Sequence, residues 1–218
     1  MIARRFEWNR DIVAAVLLCC AAGMTDAIGY VRSGIFAANM TGNTVLAALA
    51  FAQGEWLRAL QRAATVATFF GGAMFGRFLL NLTGSRPSAP LALEAILIAI
   101  AAFIPNAATE ILFVTFAMGI QSTALTRFSG VAFSTVVMTS TIGRLAETSA
   151  DRLIRGFGRV APRHGLPSRL LLCTWAAYAV GAAIAGVLMR LVQVPLVLPA
   201  LVIVVVTASY TRALLPRS

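Results

Sequence analysis

Residues Ile12 to Val31 read IVAAVLLCCAAGMTDAIGYV, a stretch in which Asp26 is the only charged side chain. A helix needs roughly 20 mostly apolar residues to cross about 30 Å of hydrocarbon, so this stretch predicts a membrane-spanning helix. The whole chain has the same character, since 59% of its residues are hydrophobic and 12% are charged. Because about a quarter of the residues in soluble domains are charged, the composition predicts an all-α, polytopic membrane protein.

Similar apolar stretches recur along the chain and predict about eight hydrophobic helical segments. Roughly six of these are uninterrupted and are predicted as clear spans. They are Ile12 to Val31, Ala63 to Leu82, Leu91 to Ile104, Ile111 to Thr126, Leu170 to Leu191 and Val194 to Tyr210. Two further segments, Ile35 to Ala52 and Val131 to Ala146, are apolar at their ends and polar in the middle. The polar stretch Gln53 to Arg62 is predicted to be a loop.

Charge placement predicts the orientation of the chain. The net charge is +10, and every basic residue is an arginine. The arginines lie mainly between apolar runs, as positive-inside signals do, and not on one aromatic-rich face as in nucleic-acid-binding proteins. The Arg-rich stretch Asp151 to Arg169 and both termini are therefore predicted to be cytoplasmic, in the cell (inner) membrane, with membrane lipids as partners and no nucleic acid.

The single membrane domain, residues 1–218, contains two related halves, 12–104 and 108–212. GMTDAIGYVRSGIFAANMTGNT, which starts at Gly23, aligns with GIQSTALTRFSGVAFSTVVMTSTI, which starts at Gly119. Further on, Gly71 and Gly76 are predicted to recur as Gly181 and Gly186. Transporters are often built from such repeats. If the two polar segments cross the membrane, eight spans form parallel repeats; if they are re-entrant, six spans form inverted repeats.

Asp26 is the first candidate site residue, with Tyr30 one helical turn further on. An ionisable group near the middle of the bilayer costs about 2.5–3.5 kcal/mol, so it is expected to face the bundle interior and to have a partner. Two interpretations stand side by side. Asp26 binds a proton, a cation or a substrate amine, or it caps the start of the next helix or pairs with Arg32 or Arg127.

The stretch Asn39-Met40-Thr41-Gly42-Asn43-Thr44 is the second candidate. Asn and Gly are poor helix formers, so a break is predicted here. Irregular backbone at membrane depth persists only when it is buried in protein or lines a wet cavity. Asn39, Thr41, Gly42 and Asn43 are therefore predicted to contact a solute, with helix–helix hydrogen bonding as the alternative.

The counterpart of this stretch in the second half supplies Thr139 and Thr141, with Gln121 on the preceding segment. Their polar groups are predicted to complete a cavity opposite Asn39 and Asn43. No metal or cofactor site is predicted. A glycine-rich helix face is compatible with a homodimer.

The stretch GIFAANMTGN, residues 34–43, together with Gly23 and Asp26, resembles the YoaK family of bacterial membrane proteins, a domain of unknown function. The resemblance implies a multi-pass membrane protein with about six spans. It implies no substrate and no site residues beyond the motif itself.

Three functions are compatible with the sequence. The preferred hypothesis is a transporter or permease-like protein for an unidentified small solute, because polar breaks interrupt both apolar halves. The second is a non-transporting scaffold or regulator, in which the same polar groups only hold helices together. The third is an intramembrane enzyme, although no nucleophile–base set is visible in the sequence, and the chain is expected not to be one.

Overall fold

The computed structural model describes residues 10–125 and 168–212, together with the isolated positions 142, 143, 146, 147 and 150. In this part of the chain all regular structure is helical, as the composition predicts. The helices are α1 (Arg10–Ser33), α2 (Met40–Ala52), α3 (Trp56–Leu82), α4 (Ser88–Ala101), α5 (Ala107–Leu125), α6 (Ser168–Leu191) and α7 (Val197–Arg212).

Three helices are long and apolar enough to cross a membrane: α1, α3 and the Leu170–Leu191 part of α6. Helices α2, α4 and α7 are apolar but shorter. Many large hydrophobic side chains lie on the outside of the bundle, among them Phe70, Phe103 and Val205. A soluble monomer rarely exposes such a surface, whereas lipid solvates it.

Two predicted boundaries differ from the structure. Helix α3 begins at Trp56, so most of the predicted loop Gln53 to Arg62 is helical. Leu, Ala and Arg are good helix formers, and Arg58 pairs with Glu55 at 2.9 Å in the first turn. In the predicted segment Ile35 to Ala52, only the part from Met40 onward is helical. The second polar segment, Val131 to Ala146, lies outside the described residues apart from three isolated positions.

The helices form one core in which α1 packs along α6, α3 packs along α5, and α4 packs against α5 and α7. Helices α1 and α5 run antiparallel. The Arg32 guanidinium near the end of α1 lies 2.7 Å from the Glu110 carboxylate near the start of α5. At the other end of the pair, the Gln121 amide donates to the Leu18 carbonyl at 3.2 Å.

Glycines permit the closest helix contacts in the bundle. A methyl group added at Gly23 on α1 would overlap the Tyr178 carbonyl of α6, and one at Gly181 would overlap the Cys20 carbonyl of α1. Helices α3 and α5 cross in the same way, with Gly72 against the Phe116 carbonyl and Gly119 against the Phe69 carbonyl.

The alignment of the halves pairs Gly71 with Gly181, whereas the glycine of α3 at this crossing is Gly72. A methyl group at Gly71 would lie 3.9 Å from the Phe116 ring, which is an ordinary contact. Among the described residues, a methyl group at Gly186 would have nothing within 4 Å. Gly71 is therefore not the structural counterpart of Gly181 at this close helix contact.

Candidate functional site

Between α1 and α2 the chain folds back into the bundle. Gly34 follows α1 with a φ of +70°, and its N–H donates to the Tyr30 carbonyl at 2.8 Å, which ends the helix. Residues 34–39, called the return segment below, then run back along α1. The carbonyl of Ile35 lies beside Gly29, and the amide of Ala38 reaches Asp26. Asp26 lies about 10 Å from the end of α1, given a rise of about 1.5 Å per residue.

The Asp26 carboxylate holds the return segment at this depth. Its Oδ1 accepts hydrogen bonds from the backbone N–H groups of Ala38, at 2.5 Å, and Asn39, at 3.3 Å. Its Oδ2 accepts one from the hydroxyl of Tyr178 on α6, at 2.5 Å. One buried carboxylate thus joins α1, the return segment and α6, and its negative charge is stabilised by three donors.

Arg32 is not the partner of Asp26, because its guanidinium pairs with Glu110. Of the two alternatives for Asp26, the described geometry matches the one in which it binds the backbone just before the next helix. The other candidate partner, Arg127, lies outside the described residues.

Asn39 and Asn43 bind the backbone at the start of α2. Asn39 is the N-cap, and its Oδ1 accepts from the N–H of Gly42 at 3.0 Å. Asn43 is fully buried and makes two bonds to Phe36. Its Oδ1 accepts from the Phe36 N–H at 2.9 Å, and its Nδ2 donates to the Phe36 carbonyl at 2.7 Å. Both backbone groups of one return-segment residue are therefore satisfied by one side chain.

The other residues of the motif face different surroundings. The side chain of Thr41 is exposed, whereas a methyl group at Gly42 would lie 3.1 Å from the Phe36 ring. Tyr30 is 46% exposed and stacks on Phe36 with ring centroids 4.6 Å apart. The structure therefore places Tyr30 on the outside of the return segment, away from the carboxylate of Asp26.

The second-half candidates are only partly described. Gln121 is buried, its amide bonds to Leu18, and its Oε1 has no hydrogen-bond partner among the described residues. Thr139 and Thr141 lie outside the described residues. The described residues contain no group of three or more His, Cys, Asp or Glu side chains that could hold a metal ion.

Sequence reasoning missed Tyr178, which is the side-chain partner of Asp26. Tyr178 is the only tyrosine in the apolar segment Leu170 to Leu191, three residues before Gly181. A lone phenol in a predicted span is a signal, because a buried Tyr hydroxyl usually has a hydrogen-bond partner. Its pairing with Asp26 could not be predicted, because it depends on how α1 packs on α6.

Comparison with known proteins extends the resemblance beyond the motif. The family described as "Protein of unknown function (DUF1275)" matches residues 14–209. The UPF0700 transmembrane protein YoaK of Bacillus subtilis (strain 168) is 34% identical over 150 residues, which are 63% of this chain and 66% of that protein. The chain therefore matches slightly less than two thirds of that relative's length. No solved structure matches.

Proposed function

Because the chain belongs to the DUF1275 family of membrane proteins, which is described without an activity, we propose a function from its geometry. We propose that it is a transporter for a small polar solute. The observation that carries this proposal is the buried, non-helical return segment, from which α2 starts inside the bundle. Half-helices that begin within the membrane commonly form the solute sites of transporters.

The contacts of Arg62 on α3 support a re-entrant α2. The Arg62 guanidinium donates to the Leu46 carbonyl in the middle of α2 at 3.1 Å, and it also lies 4.0 Å from where a methyl group at Gly34 would be. The middle of α2 thus lies close to Gly34, at about the same depth in the bundle as the C-terminal end of α1. In the proposed arrangement α2 enters the bundle and leaves on the same side.

The proposed transporter consists of two inverted halves. Two observations support this arrangement: Gly23 and Gly119 have matching close contacts, and the helices that carry them run antiparallel. With α2 re-entrant, the arrangement has six spans and places both termini on one side. The hydroxyl of Tyr210 near the end of α7 donates to Asp11 near the start of α1 at 2.6 Å, as this arrangement requires. The arginine distribution then favours the cytoplasmic side.

The described contacts suggest different roles for the motif residues. Asp26 and Asn43 hold the return segment through their hydrogen bonds, so they act as positioning residues. Asn39 is half-buried and Thr41 is exposed at the start of α2. In the proposed site, the side chains of these two residues contact the solute at the positively polarised end of α2.

A scaffold or regulator is the second candidate, and one observation favours it. The hydrogen bonds of Asp26 and Asn43 all go to this chain's own groups, as expected if they only specify packing. The two functions differ in whether any solute crosses the membrane. Neither proposal assigns a catalytic reaction to the chain.

The test is flux through proteoliposomes loaded with a panel of amino acids, sugars, polyamines and monocarboxylates, with efflux quantified by mass spectrometry. We expect at least one solute to leave faster than from protein-free liposomes. We expect Thr41→Val to slow this flux, because the isosteric change removes only a hydroxyl. Thr44→Val is the matched control, since the Thr44 hydroxyl bonds to the Met40 carbonyl of its own helix at 2.8 Å.

Both variants should keep the thermal stability of the wild type, because Thr41 and Thr44 are exposed. If folded wild-type protein releases no solute faster than empty liposomes, the transporter proposal is wrong and the scaffold is favoured. If Thr41→Val and Thr44→Val transport equally well, the solute does not contact the start of α2.

A further inference from the structure

Glu94 on α4 is a buried carboxylate that the proposed solute site does not use. It is 0% exposed and shares the buried face of α4 with Leu91, Ala95 and Ile98. Neither of its carboxylate oxygens has a hydrogen-bond partner among the described residues. By contrast, Asp26 has three donors, and Glu110 has the guanidinium of Arg32.

No described cationic side chain lies within ion-pair distance of Glu94. Helix α4 packs against α5 and α7 and makes a smaller contact with α3. The titratable groups of these helices whose side chains the structure describes are engaged elsewhere or exposed. Glu110 on α5 pairs with Arg32, Tyr210 on α7 bonds to Asp11, Arg58 on α3 pairs with Glu55, Arg62 on α3 bonds to Leu46, and Arg77 on α3 is exposed.

Thr115 on α5 is a second polar group without a partner in this region. It is 0% exposed, and its Oγ1 has no hydrogen-bond partner among the described residues. Helices α4 and α5 form an antiparallel hairpin whose connection is residues 102–106. Glu94 and Thr115 each lie about two helical turns from that connection, and therefore at the same depth.

An ionised carboxylate without a counter-ion is unstable in such an environment. Its desolvation costs several kcal/mol, and a buried group of this kind neutralises by taking up a proton. A divalent cation would need about six or more oxygen ligands, whereas the described residues contain no group of three or more His, Cys, Asp or Glu side chains that could hold it. The geometry therefore suits a proton better than a metal ion.

We propose that Glu94 is a proton-binding site in the membrane interior and that its protonation is coupled to solute movement. Uptake of one proton from the aqueous phase converts the carboxylate to the neutral acid in the state described here. Exposure to the opposite aqueous phase returns that proton and regenerates the carboxylate. The coupling rests on the proposed transport function, whereas the proton-binding site does not.

The site is tested with N,N′-dicyclohexylcarbodiimide, which reacts with protonated carboxyl groups inside membranes. The acid gives its proton to a carbodiimide nitrogen, the carboxylate adds to the central carbon, and the adduct rearranges to a stable N-acylurea without a leaving group. Protein in phosphatidylethanolamine–phosphatidylglycerol vesicles is labelled across a pH series and mapped by peptide mass spectrometry. We expect an adduct at Glu94 that is lost at high pH and is absent from Glu94→Gln.

Glu55→Gln is the matched control, because Glu55 lies outside the bundle core and pairs with Arg58. This variant should be labelled like the wild type. Infrared difference spectra between wild type and each variant give a second measurement that needs no reagent access. We expect Glu94→Gln alone to remove a protonated-carboxyl band.

The absence of both the adduct and the band at neutral pH would overturn the proton site. Protection of Glu94 by NaCl, but not by choline chloride, would also overturn it and indicate a sodium ion. If flux occurs, wild-type flux should respond to an imposed pH gradient, and Glu94→Gln should lose that response while keeping downhill flux. If Glu94→Gln retains the response to the pH gradient, the coupling is refuted but the proton site is not. If Glu94 is labelled but no solute flux occurs, the transporter proposal is refuted but the proton site is not.

Discussion

Replacing Gly72 by Ala should destabilise the protein, whereas the same change at the adjacent Gly71 should not. The added methyl group at position 72 overlaps the Phe116 carbonyl, and backbone atoms of α5 cannot move aside as a flexible side chain can. Overpacking of this kind costs about 1–3 kcal/mol. At position 71 the nearest atom is 3.9 Å away, so only the helix propensity of Ala acts, which stabilises by up to about 1 kcal/mol.

The difference in stability between the two variants is measured by thermal unfolding in detergent. Unfolding is followed with a maleimide dye that reacts with cysteines as they become exposed. Cys19 is buried in the folded protein, so its reaction reports unfolding. At about 2–4 °C per kcal/mol, Gly72→Ala should lower the Tm by roughly 2–12 °C, and Gly71→Ala should leave it unchanged or raise it slightly. Equal Tm values for the two variants would refute the packing of α3 on α5 through Gly72.

The remaining predictions concern buried polar contacts and use the same unfolding assay. Asn43→Ala should lower the free energy of unfolding by roughly 2–5 kcal/mol, because it leaves both backbone groups of Phe36 without partners. Thr44→Ala is the control and should lower it little. Equal losses of stability in the two variants would contradict the described role of the Asn43 amide. Arg32→Gln should destabilise more than Glu110→Gln, because it leaves a buried carboxylate unpaired, and the double substitution should recover part of the loss. Strictly additive losses would show that the pair does not interact.

The sequence predicted the class of the protein and the presence of a break before α2 more successfully than the position of that break. The stretch Ile12 to Val31 contains a single charged side chain among 20 residues, and only 12% of the whole chain is charged. Both observations predict membrane helices. The break before α2 begins at Gly34 and ends at the N-cap Asn39, so it lies earlier than the polar stretch that signalled it. The displaced position depends on hydrogen bonds from Asp26 and Asn43, and no local propensity encodes such partners.

Side-chain surroundings were harder to predict than helices. Glu94 lies near the start of the apolar segment Leu91 to Ile104, and this position alone does not distinguish a buried carboxylate from one at the membrane interface. Helix α4 begins earlier, at Ser88, so Glu94 falls in its second turn, and it is buried there. Likewise, hydropathy does not distinguish Gly71 from Gly72, because the difference arises only from the rotation of α3 against α5.

The two halves differ where the proposed solute site lies. The alignment that pairs Gly23 with Gly119 also pairs Asp26 with Ser122, and the crossing that pairs Gly181 with Gly72 pairs Tyr178 with Phe69. The Ser122 hydroxyl donates to the Gly119 carbonyl of its own helix at 2.7 Å, and unlike the Asp26 carboxylate it carries no negative charge. The positions that correspond to Asp26 and Tyr178 therefore hold neither a carboxylate nor a phenol. If the halves are inverted repeats, we expect only one solute site of the proposed transporter to be held by a carboxylate–phenol pair.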